Sequence, residues 1–198
     1  MLMRLQKYSA PLICFAVLSD AFTNDEIEKI IFLEKLLAFN KGKVGNPNVE
    51  ASEEAPKEVR DSDVSFLLPD ENSSWLFDRL ANIIPMVNYD HFMFDIEGIE
   101  AVQYTRYGID QHYDWHIDAG FGWTDYVRKI SLTIMLDDPE DYEGGELEVC
   151  NTGNFNNIAV LKPKKGDIVF FASWMPHRVR PVTLGTRRSI VSWILGKK

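Results

Sequence analysis

The sequence predicts a mainly β protein with flanking helices: a double-stranded β-helix, or jelly roll, with N-terminal helices packed outside it. Three observations carry this. Two amphipathic helical patterns occupy the first half of the chain, and from Ile99 onward the apolar period drops to two. The second half is then cut by turn residues into about eight short segments.

The elements follow in order. Met1 to Leu18 has basic residues followed by the apolar run Pro11-Leu-Ile-Cys-Phe-Ala-Val-Leu18. This imitates a signal peptide, but the apolar part is short, opens with proline and lacks a small-x-small cleavage site, so it is read as a core strand. Thr23-Asn-Asp-Glu26 is a capping box, and Ile27, Ile30, Ile31 and Leu37 extend an amphipathic helix to about Phe39. Residues 40–63 are almost devoid of apolar side chains and read as a long loop, a composition that fits a lid and plain disorder equally well. Val64–Leu68 is a short strand. A second helix starts near Ser74, with Trp75, Leu76, Leu80, Ile83, Ile84 and Val87 on its apolar face.

Strands are then expected around 99–105, 112–118, 130–136, 146–150, 158–161, 167–171, 177–180 and 189–195. Gly108, Gly120, Asp137-Asp138-Pro139, Gly144-Gly145, Gly153 and Gly166-Asp167 supply the turns. The expected organisation is one domain over 1–198: a helical support region over 1–98, with its loop 40–63, and a jelly-roll core over 99–195. There are no internal repeats.

Bulk properties narrow the function. A chain of 198 residues can bury a real core. A net charge of -9 argues against nucleic acid, whose phosphates demand a basic stripe. A local basic patch around Arg178, Arg180, Arg187 and Arg188 is the one exception to weigh. An acidic surface suits a cationic or neutral protein substrate better. Cys14 and Cys150 make no disulfide framework, and Cys14 reads as a buried small hydrophobe. No apolar run reaches membrane-spanning length, so no membrane partner and a soluble, cytoplasmic protein are expected.

The chemistry is concentrated in His116-Ile-Asp118, His177 and Arg187. Two imidazoles and one carboxylate can hold Fe(II) on one face and leave the opposite positions open, which implies redox chemistry more than structural support. Arg187, ten positions after His177 (187 − 177), offers an always-charged fork for a carboxylate. An isolated histidine on a half-buried strand needs no such role. Here carboxylates lie two positions away, and the distant histidine has its own aromatic, turn-rich context in Trp174-Met-Pro-His177.

Spacing alone leaves choices open. His112 and His116 are four apart, as in a zinc protease helix, but that motif needs glutamate where this chain has Tyr113. On a strand, His112, Asp114, His116 and Asp118 would share one face, so parity does not say which carboxylate joins His116 or whether His112 takes part. Arg187 and Arg188 point to opposite faces, both flanked by apolar residues, and parity does not choose between them. His91 reads as surface or core.

Six ordered segments carry a resemblance: Gln103-Tyr-Thr-Arg-Tyr-Gly108, His112-Tyr-Asp-Trp-His-Ile-Asp118, Ser131-Leu-Thr-Ile-Met-Leu-Asp-Asp-Pro139, Tyr142-Glu-Gly-Gly-Glu-Leu147, Gly166-Asp-Ile-Val-Phe-Phe171, and His177 to Arg187 with Ser192-Trp193. Over residues 99–195 the chain resembles the 2-oxoglutarate/Fe(II)-dependent dioxygenase superfamily, prolyl 4-hydroxylase-like branch, bacterial hydroxylase type. The resemblance implies His116, Asp118 and His177 as iron ligands and Arg187 as the holder of the distal carboxylate of 2-oxoglutarate. Tyr107 and Thr133 would line the co-substrate site, and Met135 or Tyr104 would be further candidates to touch it. Trp193 would pack beneath Arg187. Many prolyl hydroxylases use lysine for the distal carboxylate, and arginine resembles the other subset.

The implied cofactors are Fe(II), with 2-oxoglutarate and O2 as co-substrates, and ascorbate as a candidate reductant. The implied reaction hydroxylates a C–H bond while 2-oxoglutarate is decarboxylated to succinate. A prolyl residue of a protein or peptide is the first substrate expected, and a free amino acid or other small molecule the second. The rival from another class is a non-catalytic jelly-roll module binding a small molecule, with zinc or no metal; it gives no reason for the clustered triad plus Arg187. A metal-dependent hydrolase lacks a placed general base.

Overall fold

Alternating apolar side chains on the strands, and one apolar stripe on each helix, sort the chain into two facing sheets with the helices against the outer face of the larger one. The computed structural model describes residues 15–43, 56–119, 125–151 and 155–198. Cys14 and the turn glycines Gly120 and Gly153 lie outside the described residues, as does the middle half of the expected loop, 44–55.

The helical half comes first. Strand β1 (Phe15–Leu18) is the C-terminal end of the expected first strand and pairs antiparallel with the later Ile168–Phe171 stretch. Helix α1 (Asn24–Leu33) starts at the predicted capping box, in which Glu26 N–H donates to Thr23 Oγ1 at 3.2 Å and Thr23 N–H to Glu26 Oε2 at 2.8 Å. It does not run to Phe39. A 3₁₀ turn (Glu34–Leu36) closes it, after which Leu37 is extended. The Phe39 ring packs edge-on against Tyr104 at 5.7 Å and beneath Arg106, contacts a continued helix would carry away.

The expected loop 40–63 contains two short strands, β2 (Asn40–Lys41) and β3 (Arg60–Asp61), and the start of β4 (Asp63–Leu67). Lys41 bridges Asp61 and Asp63 at 2.9 and 3.0 Å, so polar composition here serves pairing as well as solvent. Helix α2 (Ser74–Val87) buries Leu76, Leu80, Ile83, Ile84 and Val87, as its periodicity predicts. It continues as a π turn (Asn88–Phe92), locked by the Asn88 amide, which donates to Phe94 O and accepts from Phe94 N–H.

The β half comprises β5 (Gly98–Tyr107), β6 (His112–His116), β7 (Tyr126–Met135), β8 (Tyr142–Gly144), β9 (Leu147–Cys150), β10 (Ile158–Leu161), β11 (Ile168–Ala172), β12 (His177–Val179), β13 (Val182–Gly185) and β14 (Arg187–Lys197). The larger sheet has the order β1-β11-β7-β14-β5-β4-β2, the smaller β10-β9-β12-β6-β3, and β13-β8 forms a separate ribbon. Strands β8 and β13 escape a periodicity search because their side chains are mostly exposed or half-buried rather than alternating. The fold is a mostly β jelly roll, as predicted.

Two cores result. One lies between the helices and the larger sheet, around Ile27, Leu80, Leu132 and Ile190. The other lies between the two sheets, around Val149, Val169, Phe171 and Val179. Buried side chains of this size contribute roughly 1.5–3 kcal/mol each. The inter-sheet core does not fill the space completely, and its open end is the site.

Candidate metal centre

His116 ends β6 and His177 begins β12, and the antiparallel ladder sets these two residues directly opposite each other. Asp118 lies just past the strand, held by its own backbone N–H donating to Ser173 O at 2.9 Å. The result is three ligand atoms within 4.8 Å of one another, with His116 Nε2 3.6 Å from Asp118 Oδ1 and His177 Nε2 3.5 Å from Asp118 Oδ2.

Both imidazoles are oriented by backbone carbonyls. His116 Nδ1 lies 2.7 Å from Asp114 O, and His177 Nδ1 lies 2.9 Å from Met175 O. A carbonyl only accepts, so Nδ1 carries the proton in each ring and Nε2 presents its lone pair to the centre. Burial pushes the His116 pKa down to about 3; the nearby charge of His177 adds to this and Asp118 opposes it. The ring is therefore neutral and ready to ligate near neutral pH. For Asp118, burial favours the protonated form. The charges of His177 and His116 and a hydrogen bond from Ser131 outweigh it and hold the carboxyl below its ordinary value. The indole N–H of Trp193 acts in the same direction without meeting full hydrogen-bond geometry.

Strand parity fails at this point. Between its two β12 partners, β6 advances three residues (Tyr113 to His116) while β12 advances two (His177 to Val179). The extra residue breaks the alternation. Tyr113, not Asp114, shares the side of His116, and their rings stack at 3.4 Å. Asp114 turns outward with a 53% exposed side chain, 3.9 Å from Arg178. His112 faces the carbonyls of Asp110 and Glu58 and is not in the triad, and His91 is exposed beside Phe92.

The triad lines a cavity of about 260 Å³ that Tyr107, Thr133 and Arg187 also line. Drug-sized ligands occupy clefts of roughly 300 Å³ upward, so this one suits a small acid. Arg187, at the start of β14 opposite Tyr107, is 1% exposed. It donates to Ser189 Oγ at 3.3 Å and to Met135 Sδ at 3.4 Å, and its Nε has no partner. Among the described residues no carboxylate pairs with it. Arg188 points the other way, onto Asp137 and Glu34. Thr133 is buried in register with Val169 and Val191.

Of the two further candidates, Met135 touches the Arg187 guanidinium, whereas Tyr104 lies on the opposite face and donates to Glu34 at 3.2 Å. Trp193 shares the pocket face of Arg187 but does not pack beneath it. Six residues of strand separate them by about 20 Å, and Trp193 instead lies under Arg128 at 4.0 Å, near Asp118. The basic patch also dissolves: Arg178 pairs with Glu148 at 2.6 Å, and Arg180 and Arg188 have carboxylate partners of their own.

Sequence reasoning assigned no role to Ser131, Tyr113 or Arg60. Ser131 and Tyr113 sit inside the motif segments, but only the bulge and the inter-strand register bring them to the centre. Arg60 lay within the apparent loop; it lines the cavity over the Tyr113 ring at 4.4 Å.

A jelly roll with two imidazoles and a carboxylate converging at the open end of its core presents the donor set of a facial triad, and that set suits iron. Comparison with known proteins agrees. The 2OG-Fe(II) oxygenase superfamily model matches residues 102–195. A PKHD-type hydroxylase of Gloeothece citriformis is 34% identical over 97 residues, which is 48% of this chain and 43% of that protein. The matched part thus spans less than half the length of such curated relatives. A prolyl-4-hydroxylase of Pseudomonas putida superposes with a TM-score of 0.71 at 17% identity, covering 93% of each chain. A prolyl hydroxylase of Trichoplax adhaerens, solved with a hypoxia inducible factor peptide fragment, gives 0.72 at 19% identity, covering 91% of this chain and 83% of that one. Residues 102–195 are thus similar to the 2OG-Fe(II) oxygenase superfamily, and the chain shares the fold of solved prolyl hydroxylases.

Proposed function

We propose that this chain is a 2-oxoglutarate- and Fe(II)-dependent dioxygenase that hydroxylates a C–H bond, first of all on a prolyl residue of a protein or peptide. The observation that carries the reading is Arg187: a buried guanidinium without a carboxylate partner among the described residues, lining the same cavity as the His116-Asp118-His177 triad. An uncompensated buried charge costs several kcal/mol, which an arriving carboxylate recovers. A dicarboxylic keto acid reaching from the triad to Arg187 has the matching chemistry.

In this reading His116, Asp118 and His177 hold iron, which supplies the redox chemistry when bound. Arg187 takes the distal carboxylate of 2-oxoglutarate, and Tyr107 and Thr133 wall its path. Two imidazole nitrogens and the ionised Asp118 would contribute one negative charge between them, so a bound Fe(II) would keep a net positive charge and attract the anionic co-substrate. Co-substrate decarboxylation to succinate accompanies hydroxylation, with ascorbate as a reductant. The prolyl substrate is supported by the hydroxylases with this fold, one of them solved with a peptide. The chain acts as one domain, with residues 1–98 as support and 99–195 as catalytic core, and works in the cytoplasm.

The test is an anaerobic titration of apo-protein with Fe(II) and 2-oxoglutarate, watching the visible metal-to-ligand charge-transfer band. The band appears in the wild type and is lost in His177→Ala. A folded protein that never shows it overturns the reading. Succinate release is then compared for prolyl peptides and for free amino acids, and stimulation only by the latter would replace the substrate.

A further inference from the structure

Helix α2 has a second apolar stripe. Its first, Leu76, Leu80, Ile83, Ile84 and Val87, is buried on the larger sheet. Phe77, Ala81, Pro85 and, in the following π turn, Tyr89 recur every four residues on another face. This is the spacing of a helix surface meant to be covered. They form one wall of a groove of about 940 Å³, whose other wall includes Met93 and Ile96 in the link that leads to β5. Tyr89 is 79% exposed and Met93 75%. Isolated exposed apolar side chains need no explanation, but a contiguous apolar groove does.

The two charged side chains lining the groove are both acidic, Asp78 and Glu97. Glu97 is shared with Lys197 at 3.2 Å, whereas Asp78 makes no ion pair among the described residues, and neither do Asp90 and Asp95 nearby. Methionine and tyrosine at the lip give a surface that adapts to a partner at low entropic cost.

We propose that this groove docks an amphipathic, basic helix of a partner protein, laid along α2. Its apolar residues at helical spacing would fill the groove, and lysine or arginine on its flanks would meet Asp78 on the groove wall and Asp90 and Asp95, which adjoin the lining residues Tyr89, Phe94 and Ile96 in sequence. The surface lies on the helix-bearing side of the larger sheet, whereas the metal centre lies between the sheets, so docking and chemistry use different faces. The proposal does not depend on the catalytic reading.

The probe is a fluorescein-labelled peptide of about 14 residues, as long as α2, with leucine on one helical face and lysine on its flanks. Anisotropy titration of the full chain should show saturable binding, while a Leu/Glu peptide of the same pattern and a scrambled Leu/Lys peptide should bind at least about tenfold more weakly. The charge-neutral double variant Tyr89→Ser/Met93→Gln, both exposed sites, should lose about tenfold in affinity with its melting temperature unchanged. Asp78→Asn should weaken binding and flatten its salt dependence. No saturable binding overturns the proposal. So does equal binding by wild type and the neutral double variant, which would mean general attraction to an acidic chain. Self-association that Met93→Gln abolishes would also overturn it, with a second copy as the occupant.

Discussion

Ser131 Oγ donates a 2.7 Å hydrogen bond to Asp118 Oδ2 and lies 3.0 Å from Ser173 Oγ. A hydroxyl has one proton, and that of Ser131 is spent on the carboxylate, so Ser173 is the donor in the second contact. The relay ties Asp118 Oδ2 to β7 and fixes the carboxylate beside both imidazoles. Ser131→Ala should therefore weaken metal affinity about 10–100-fold, the usual cost of losing such support. Ser173→Ala, acting through Ser131, should cost less. Competition titration with Mn(II) or Fe(II) checks both, and equal affinities in Ser131→Ala and wild type would remove Ser131 from the site.

Neighbouring arginines should give opposite phenotypes. Arg187→Ala should raise the 2-oxoglutarate requirement by at least about 30-fold, the lower end of losing a buried charged partner, with little effect on iron binding alone. Arg188→Ala should leave that requirement unchanged but strand Asp137, whose side chain is 3% exposed. The expected cost is about 3 kcal/mol of stability. Charge-transfer titrations and denaturant melts separate the two.

The glycine pair before Leu147 should be intolerant in two distinct ways. Gly144 has φ +71°, and a Cβ there would sit 2.2 Å from Pro181 O, a backbone atom, so Gly144→Ala should prevent the β8–β13 ribbon from closing. Gly145 has φ +64°, and its Cβ would come within 3.0 Å of Arg187 Cδ. Gly145→Ala should cost about 1–2 kcal/mol from the left-handed backbone and weaken 2-oxoglutarate binding by shifting the arginine. Thermal melts with and without the co-substrate distinguish these effects.

Acid should destabilise the apo-protein earlier than its carboxylates alone would. His116 takes its proton near 6.5 when unfolded and near 3 when folded. Between those values the unfolded chain binds more protons, so stability falls as pH drops through that window. Asp118, also lowered, adds its loss below its ordinary value of 3.8. His116→Gln should flatten the upper part of the profile in apo-protein urea melts. An unchanged slope between pH 6 and pH 4 would refute the assignment.

Much of this was legible from local pattern. The capping box at Thr23 and Glu26, the buried stripe of α2 and the period-two strands depend on near neighbours in sequence, and the structure shows them within a few residues of expectation. Reading 40–63 as loop misses β2, β3 and the start of β4 at its ends, because these are held by cross-strand pairing and the Lys41 bridges, which a polar composition does not reveal; 44–55 lie outside the described residues. Helix α1 was overextended because the pull of Phe39 onto Tyr104 and Arg106 comes from residues 65 or more positions away.

The sequence by itself determined which chemistry was available: residue types and order put two histidines, a carboxylate and an arginine in strand-forming segments. Tertiary structure alone decided how they combine. The irregularity in β6 turned Asp114 out and brought Tyr113 beside His116. The pairing of β14 between β5 and β7 put Arg187 in the cavity and Arg188 on Asp137. The larger sheet placed Ser131 under Asp118. The physical reason is that strand parity is a local property only while the ladder is regular. One inserted residue flips every later side chain, and the partner strand, far away in sequence, determines where that insertion is accommodated.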